Sequence, residues 1–156
     1  MKYNLTLGVK RDDDNSVVYY KQDGQRFLYN CTIKMNVETT YKFSVNFRPP
    51  IQVKSATIKN SILDVREEEF TPESSTYALL WTTNDVCVSK KNVRDHFSLN
   101  LTIQGLGSLE IPLQFKFYKS NDKSHSVWGN DLHHIEYECS YKDESGIFEI
   151  GKEVFR

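Results

Sequence analysis

Apolar and polar residues alternate along most of this chain. Tyr3, Leu5, Leu7 and Val9 are separated by polar neighbours, and so are Tyr41, Phe43, Val45 and Phe47. The pattern returns at Phe97, Leu99, Leu101 and Ile103, then at Leu109, Ile111, Leu113, Phe115 and Phe117. Successive side chains of a β-strand point to opposite faces, so each set predicts a strand with one face turned to a core. Turn residues fall between the sets. Asp23-Gly24 is the strongest hairpin signal, because a type I′ turn needs positive φ at both central residues. Gly105-Leu106-Gly107 and Asp143-Glu144-Ser145-Gly146 each join two further strands.

Helical periodicity is scarce. Ile62–Phe70 (ILDVREEEF) reads as a short helical turn, and Asp85–Asp95 as irregular or weakly helical. Pro112 interrupts the alternating LEIPLQFKFYK on its polar phase. Proline cannot donate to a sheet ladder, so this strand is expected at an edge or at a bulge. The expected fold is all-β, an antiparallel β-sandwich or flattened β-barrel of about ten strands. Residues 1–156 read as one domain, since no repeat, linker or low-complexity tract divides them.

Charge adds mainly exclusions. Twenty Lys and Arg against 21 Asp and Glu leave a net charge of −1, which argues against a nucleic-acid partner. The N-terminal residues alternate rather than forming a signal peptide, and the longest apolar run, Tyr77–Trp81, is far too short to span a bilayer. There is no myristoylation or CaaX signal. Cys31, Cys87 and Cys139 match neither a disulfide framework nor a zinc motif. A reduced, cytoplasmic, monomeric protein fits these readings, and the sequons at Asn4, Asn30 and Asn100 then stay unmodified.

The segment HSVWGNDLHHIEYECSY, His125–Tyr141, concentrates candidate chemistry. Read as a strand, it turns Ile135, Tyr137, Cys139 and Tyr141 to one face and His134, Glu136, Glu138 and Ser140 to the other. His133 and His134 therefore point apart. His134 and Glu136 could share a metal only with a third ligand from elsewhere, and no HExxH or Cys pair supplies one. A solvated strand face is the simpler reading. Without GxSxG, Walker or GxGxxG signatures, no enzyme, cofactor or metal is expected. What remains is binding. Phe43, Phe47, Tyr77, Trp81, Phe115, Phe117 and Trp128 are candidates for lining a cleft, or else for a close-packed core.

Several blocks carry a resemblance to a known family: YKQDGQRF (Tyr20–Phe27), Asn30-x-Thr32-Ile33-Lys34, LQFKFYKSNDKSHSVWG (Leu113–Gly129), IEYEC (Ile135–Cys139) and KEVF (Lys152–Phe155). In this order and spacing they resemble the cannabinoid receptor-interacting protein family. Residues 64–92 diverge most. Within them Tyr77 matches, while Trp81 stands where the family usually has tyrosine. The resemblance implies a non-enzymatic cytosolic protein that binds the cytoplasmic C-terminal tail of a cannabinoid-type G-protein-coupled receptor and modulates its signalling, recruited by that partner to the inner face of the plasma membrane. It also implies a fold similar to carriers of lipidated proteins such as the Rho guanine-nucleotide dissociation inhibitors. The alternative partner is therefore a lipidated protein, whose acyl or prenyl chain would sit between the sheets.

Overall fold

The computed structural model describes residues 1–156. It is an all-β sandwich of two sheets, with one 3₁₀ turn at Thr83–Asp85. The strands are β1 (Lys2–Arg11), β2 (Val18–Gln22), β3 (Cys31–Asn36), β4 (Thr40–Arg48), β5 (Val53–Ile58), β6 (Ser61–Ile62), β7 (Asp64–Phe70), β8 (Ser75–Thr82), β9 (Asp95–Ile103), β10 (Gly107–Tyr118), β11 (Asn130–Leu132), β12 (Ile135–Lys142) and β13 (Ile147–Phe155). Two of the thirteen strands, β6 and β11, are only two and three residues long. The first sheet runs β13-β12-β1-β4-β8-β7 and the second β11-β2-β3-β10-β9-β5-β6, and the two do not close into a barrel.

Alternation places the core as expected. Leu5 lies opposite Phe47, Leu7 opposite Val45 and Val9 opposite Phe43, so the apolar phases of β1 and β4 share one face. Leu99 and Leu101 face Ile111 and Leu109 in the same way across β9 and β10. A cluster of 35 buried residues joins the two inner faces. Burying such faces supplies the main driving force for folding, at about 25 cal/mol per Å² of apolar surface.

Four local readings change. Residues Asp64–Phe70 are an edge strand rather than a helical turn, paired with β8 and bulged between Glu67 and Glu69. This edge strand buries little beyond Val65, so its sequence has little reason to alternate. Pro112 lies in β10, which is flanked by β9 and β3 and is not an edge strand. However, β3 pairs only with Phe115–Tyr118, so Pro112 sits on the part of β10, residues 107–114, whose other side has no ladder partner. Asp23-Gly24 does not make a two-residue turn; β2 and β3 pair antiparallel around the longer loop Asp23–Asn30, with Gly24 at φ 63°. Finally, β3 and β10 pair in parallel, Ile33 with Phe115, Lys34 with Lys116 and Met35 with Phe117. That junction places the site described next.

Candidate functional site

Six of the seven predicted aromatics meet in the interior. Trp81 lies 5.7 Å from Phe115, 6.1 Å from Phe117 and 6.2 Å from Phe43, ring centre to ring centre. Phe115 and Phe117 stack at 5.5 Å. Phe47 and Tyr77 are equally buried, the Tyr77 hydroxyl donating to Ile51 O and Glu67 Oε1. These rings fill the space between the sheets at distances typical of packed aromatic pairs. The indole Nε1 of Trp81 is buried with no hydrogen-bond partner.

Trp128 is different. It is 76% exposed, on the loop between β10 and β11, and that loop is held from several sides. The Asn36 amide donates to Lys119 O at 2.8 Å and Asp122 O at 3.1 Å. Asp122 Oδ1 accepts the backbone N–H groups of Ser124, His125 and Ser126 at 3.0, 2.9 and 3.1 Å. Lys34 Nζ donates to the carbonyls of His125 and Trp128. Gly129 takes φ 129°, and a Cβ there would stand 2.9 Å from Tyr20 O. The loop rides so close to β2 that only glycine fits. A large indole therefore projects into solvent from a fixed frame.

The frame rests on a polar layer over the outer face of the second sheet. Gln114, buried, accepts Tyr29 N–H at 3.0 Å and donates to Tyr29 O and Thr32 Oγ1, both at 2.9 Å. It also bonds His96 Nε2 at 2.8 Å. Asp23 accepts the Thr32 hydroxyl and pairs with Arg94, Nε to Oδ2 at 3.3 Å. Arg94 lies 4.3 Å over the Phe27 ring. Buried polar groups are tolerated when partnered this fully.

Between this layer and Trp128 opens a cup of about 470 Å³. Lys21, Lys34, Lys116 and Arg94 line it, with Tyr118 and Trp128 as its aromatic walls. Lys34 Nζ sits 5.9 Å from the Tyr118 ring and 6.0 Å from the Trp128 ring, and Lys116 Nζ lies 5.7 Å from Tyr118. Cation–π attraction of this kind holds ammonium groups at aromatic faces. Both lysines are held below their ordinary pKa, first by burial and then by repulsion from neighbouring cations. The surface is electropositive, aromatic and pre-arranged.

The opposite end of the segment that concentrates histidine and glutamate is quieter. His134 Nε2 bonds Glu136 Oε2 at 2.9 Å, and Arg156 Nε approaches the same oxygen at 3.3 Å. His134 first and Arg156 second hold the Glu136 carboxyl below its usual range. No helix is long and apolar enough to cross a membrane.

The family model described as CB1 cannabinoid receptor-interacting protein 1 matches residues 1–155. The chain belongs to this family. Relatives of that name from Bos taurus, Mus musculus and Homo sapiens are each 29% identical over 154 residues, spanning 97% of this chain and 94% of theirs. The family's description names an interaction and no reaction. Three of the five blocks by which the chain resembles the cannabinoid receptor-interacting proteins converge in space. YKQDGQRF supplies Lys21, Asp23 and Phe27, the following block Thr32 and Lys34, and LQFKFYKSNDKSHSVWG supplies Gln114, Lys116, Tyr118, Trp128 and Gly129. Sequence reasoning singled out only Trp128 among the residues that line the cup. The signal for the lysines was present, since Lys34 and Lys116 occupy the polar phase of two strands, but alternation alone does not make those strands neighbours.

Proposed function

We propose that this chain is a non-enzymatic adaptor that binds the cytoplasmic C-terminal tail of a cannabinoid-type G-protein-coupled receptor, modulates its signalling, and docks the tail at Trp128. The observation that carries this reading is an indole 76% exposed on a loop pinned by Asn36 and Lys34 of β3 and by its own Asp122. Interface hot spots are enriched in tryptophan, and a rigid presentation lowers the entropy lost on binding. The relatives' name supports a receptor as partner.

The test is a titration of a fluorescent peptide of the type-1 cannabinoid receptor C-terminal tail against the protein and against Trp128→Ala. The variant should weaken binding by about 2 kcal/mol, roughly thirtyfold, with an unchanged urea midpoint. Equal affinity for both proteins removes the site. Capture of an acyl or prenyl chain is the competing reading. It requires Trp81, Phe115 and Phe117 to part, because their rings occupy the space such a chain would take. A myristoylated peptide run beside its unmodified twin separates the two. A preference for the acylated form that survives Trp128→Ala would move the function to the interior.

A further inference from the structure

We infer that the cup beneath Trp128 recognises an anionic segment of the docked peptide, its carboxylate or phosphate oxygens set against Lys21, Lys34, Lys116 and Arg94. This rests on Trp128 as the docking point and adds the chemical class of the bound segment. Three observations carry it.

The first is charge balance. Four cations line the cup, and the nearer carboxylate, Asp23, is already engaged. Asp23 pairs with Arg94 and accepts the Thr32 hydroxyl, leaving Lys21 4.0 Å away. Asp122 also acts on Lys34, so four cations meet two carboxylates and the cup keeps a positive excess. Lys34 and Lys116 stand opposite each other in the parallel register of β3 and β10, where like charges repel. An anionic ligand relieves that repulsion.

The second is shape. Lys34 and Arg94 are recessed, Arg94 with only 5% of its side chain exposed. Their charge is reached by a side chain or chain end that enters the cup. A flat array of lipid headgroups would meet only the more exposed Lys21 and Trp128. The volume, about 470 Å³, holds several peptide side chains.

The third is the pairing of chemistries. Lys34 sits between the Tyr118 and Trp128 rings, and the indole projects beyond it. An extended peptide with an acidic residue next to an apolar one would satisfy both. The acidic side chain enters the cup while its apolar neighbour covers the indole. Long-range attraction between opposite charges also raises the encounter rate, an effect that salt screens.

The test uses the full chain and four probes. They are a short labelled peptide rich in glutamate with one leucine, its glutamine twin, a phosphoserine version, and phosphatidylserine vesicles. The glutamate peptide should bind at least about tenfold tighter than the glutamine twin in low salt, the gap narrowing as salt rises. Lys21→Gln with Lys116→Gln should remove most of that gap, about three- to fivefold per lysine, while leaving the glutamine twin unchanged. Tighter binding of the phosphoserine peptide would support the same anion site with phosphate as its source. Equal binding of the acidic and neutral peptides, or no effect of the lysine pair, overturns the inference. Vesicle binding without any peptide preference also overturns it, in favour of a membrane surface. Trp128→Ala keeps the two readings apart. If it weakens both peptides equally while the lysine pair changes nothing, the docking site stands and its anionic class falls.

Discussion

Replacing Asp23 by alanine tests whether the polar layer under the cup is a structural element or incidental decoration. The Asp23 carboxylate has 1% of its surface exposed and Arg94 5%, so this ion pair is buried. Exposed pairs contribute about 0–1 kcal/mol. Removing one member of a buried pair is far costlier, about 3–5 kcal/mol, because the other charge is left without a partner. Here Arg94 would keep only the Thr32 hydroxyl at 3.1 Å, the Val93 carbonyl and the Phe27 ring face. A domain of this size has roughly 5–15 kcal/mol of total stability, so the loss is a large fraction of it. In urea, with a slope near 2 kcal/mol per M, the midpoint should fall by about 2 M. The double variant Asp23→Ala with Arg94→Met removes both charges and should lose less than the sum of the single losses. A coupling of at least about 1.5 kcal/mol is expected from urea melts of all four proteins. If Asp23→Ala loses under about 1 kcal/mol, or the cycle is additive, the pair does not hold the loops Asp23–Asn30 and Val88–Arg94 to the sheet.

Three further outcomes follow from glycine and cysteine positions. Gly129→Ala should lose about 1–3 kcal/mol and weaken tail binding, since its Cβ meets Tyr20 O at 2.9 Å; Gly105→Ala, at φ 78° in open space, should lose less, and equal losses in chemical denaturation would refute the role of the close approach. Burial lifts the Cys139 thiol from 9.0 to about 12, and burial, then Glu153 and Asp23, lift Cys31 to about 11, while Cys87 is exposed. Ellman's reagent at pH 8 should therefore report Cys87 fast and Cys139 only after unfolding. Because both folded-state values lie above the unfolded ones, the unfolded chain loses these protons first. Stability should then fall as the pH climbs from about 9 towards 11–12, and Cys139→Ala should flatten that decline in pH-dependent melts.

Most of the architecture was legible because alternation is a local signal. Leu5, Phe47, Leu101 and Ile111 each declare which face they occupy through their immediate neighbours, and a sandwich follows once many strands do so. The errors lie where that signal has nothing to report. Asp64–Phe70 is an edge strand with only Val65 half-buried, so no period appears. Pro112 marks a missing ladder partner, yet that partner is present at the other end of β10, over Phe115–Tyr118.

The candidate site follows the same division. The sequence by itself determined the inner faces, the aromatic bulk that fills them and the family blocks, because each of these is carried by adjacent residues. Only the tertiary structure decided that β3 runs parallel to β10 and sets Lys34 beside Lys116. Only it showed six of the predicted aromatics packed together rather than lining an open cleft, and turned Trp128 outward. Trp128 sits in a loop, where side-chain direction is fixed by bonds from Asn36, Lys34 and Asp122 rather than by strand pleat. Strand periodicity tells a residue which side of its own strand it faces. Which strand lies alongside is settled by packing between segments some 80 residues apart, such as Lys34 and Lys116, and no local pattern encodes it.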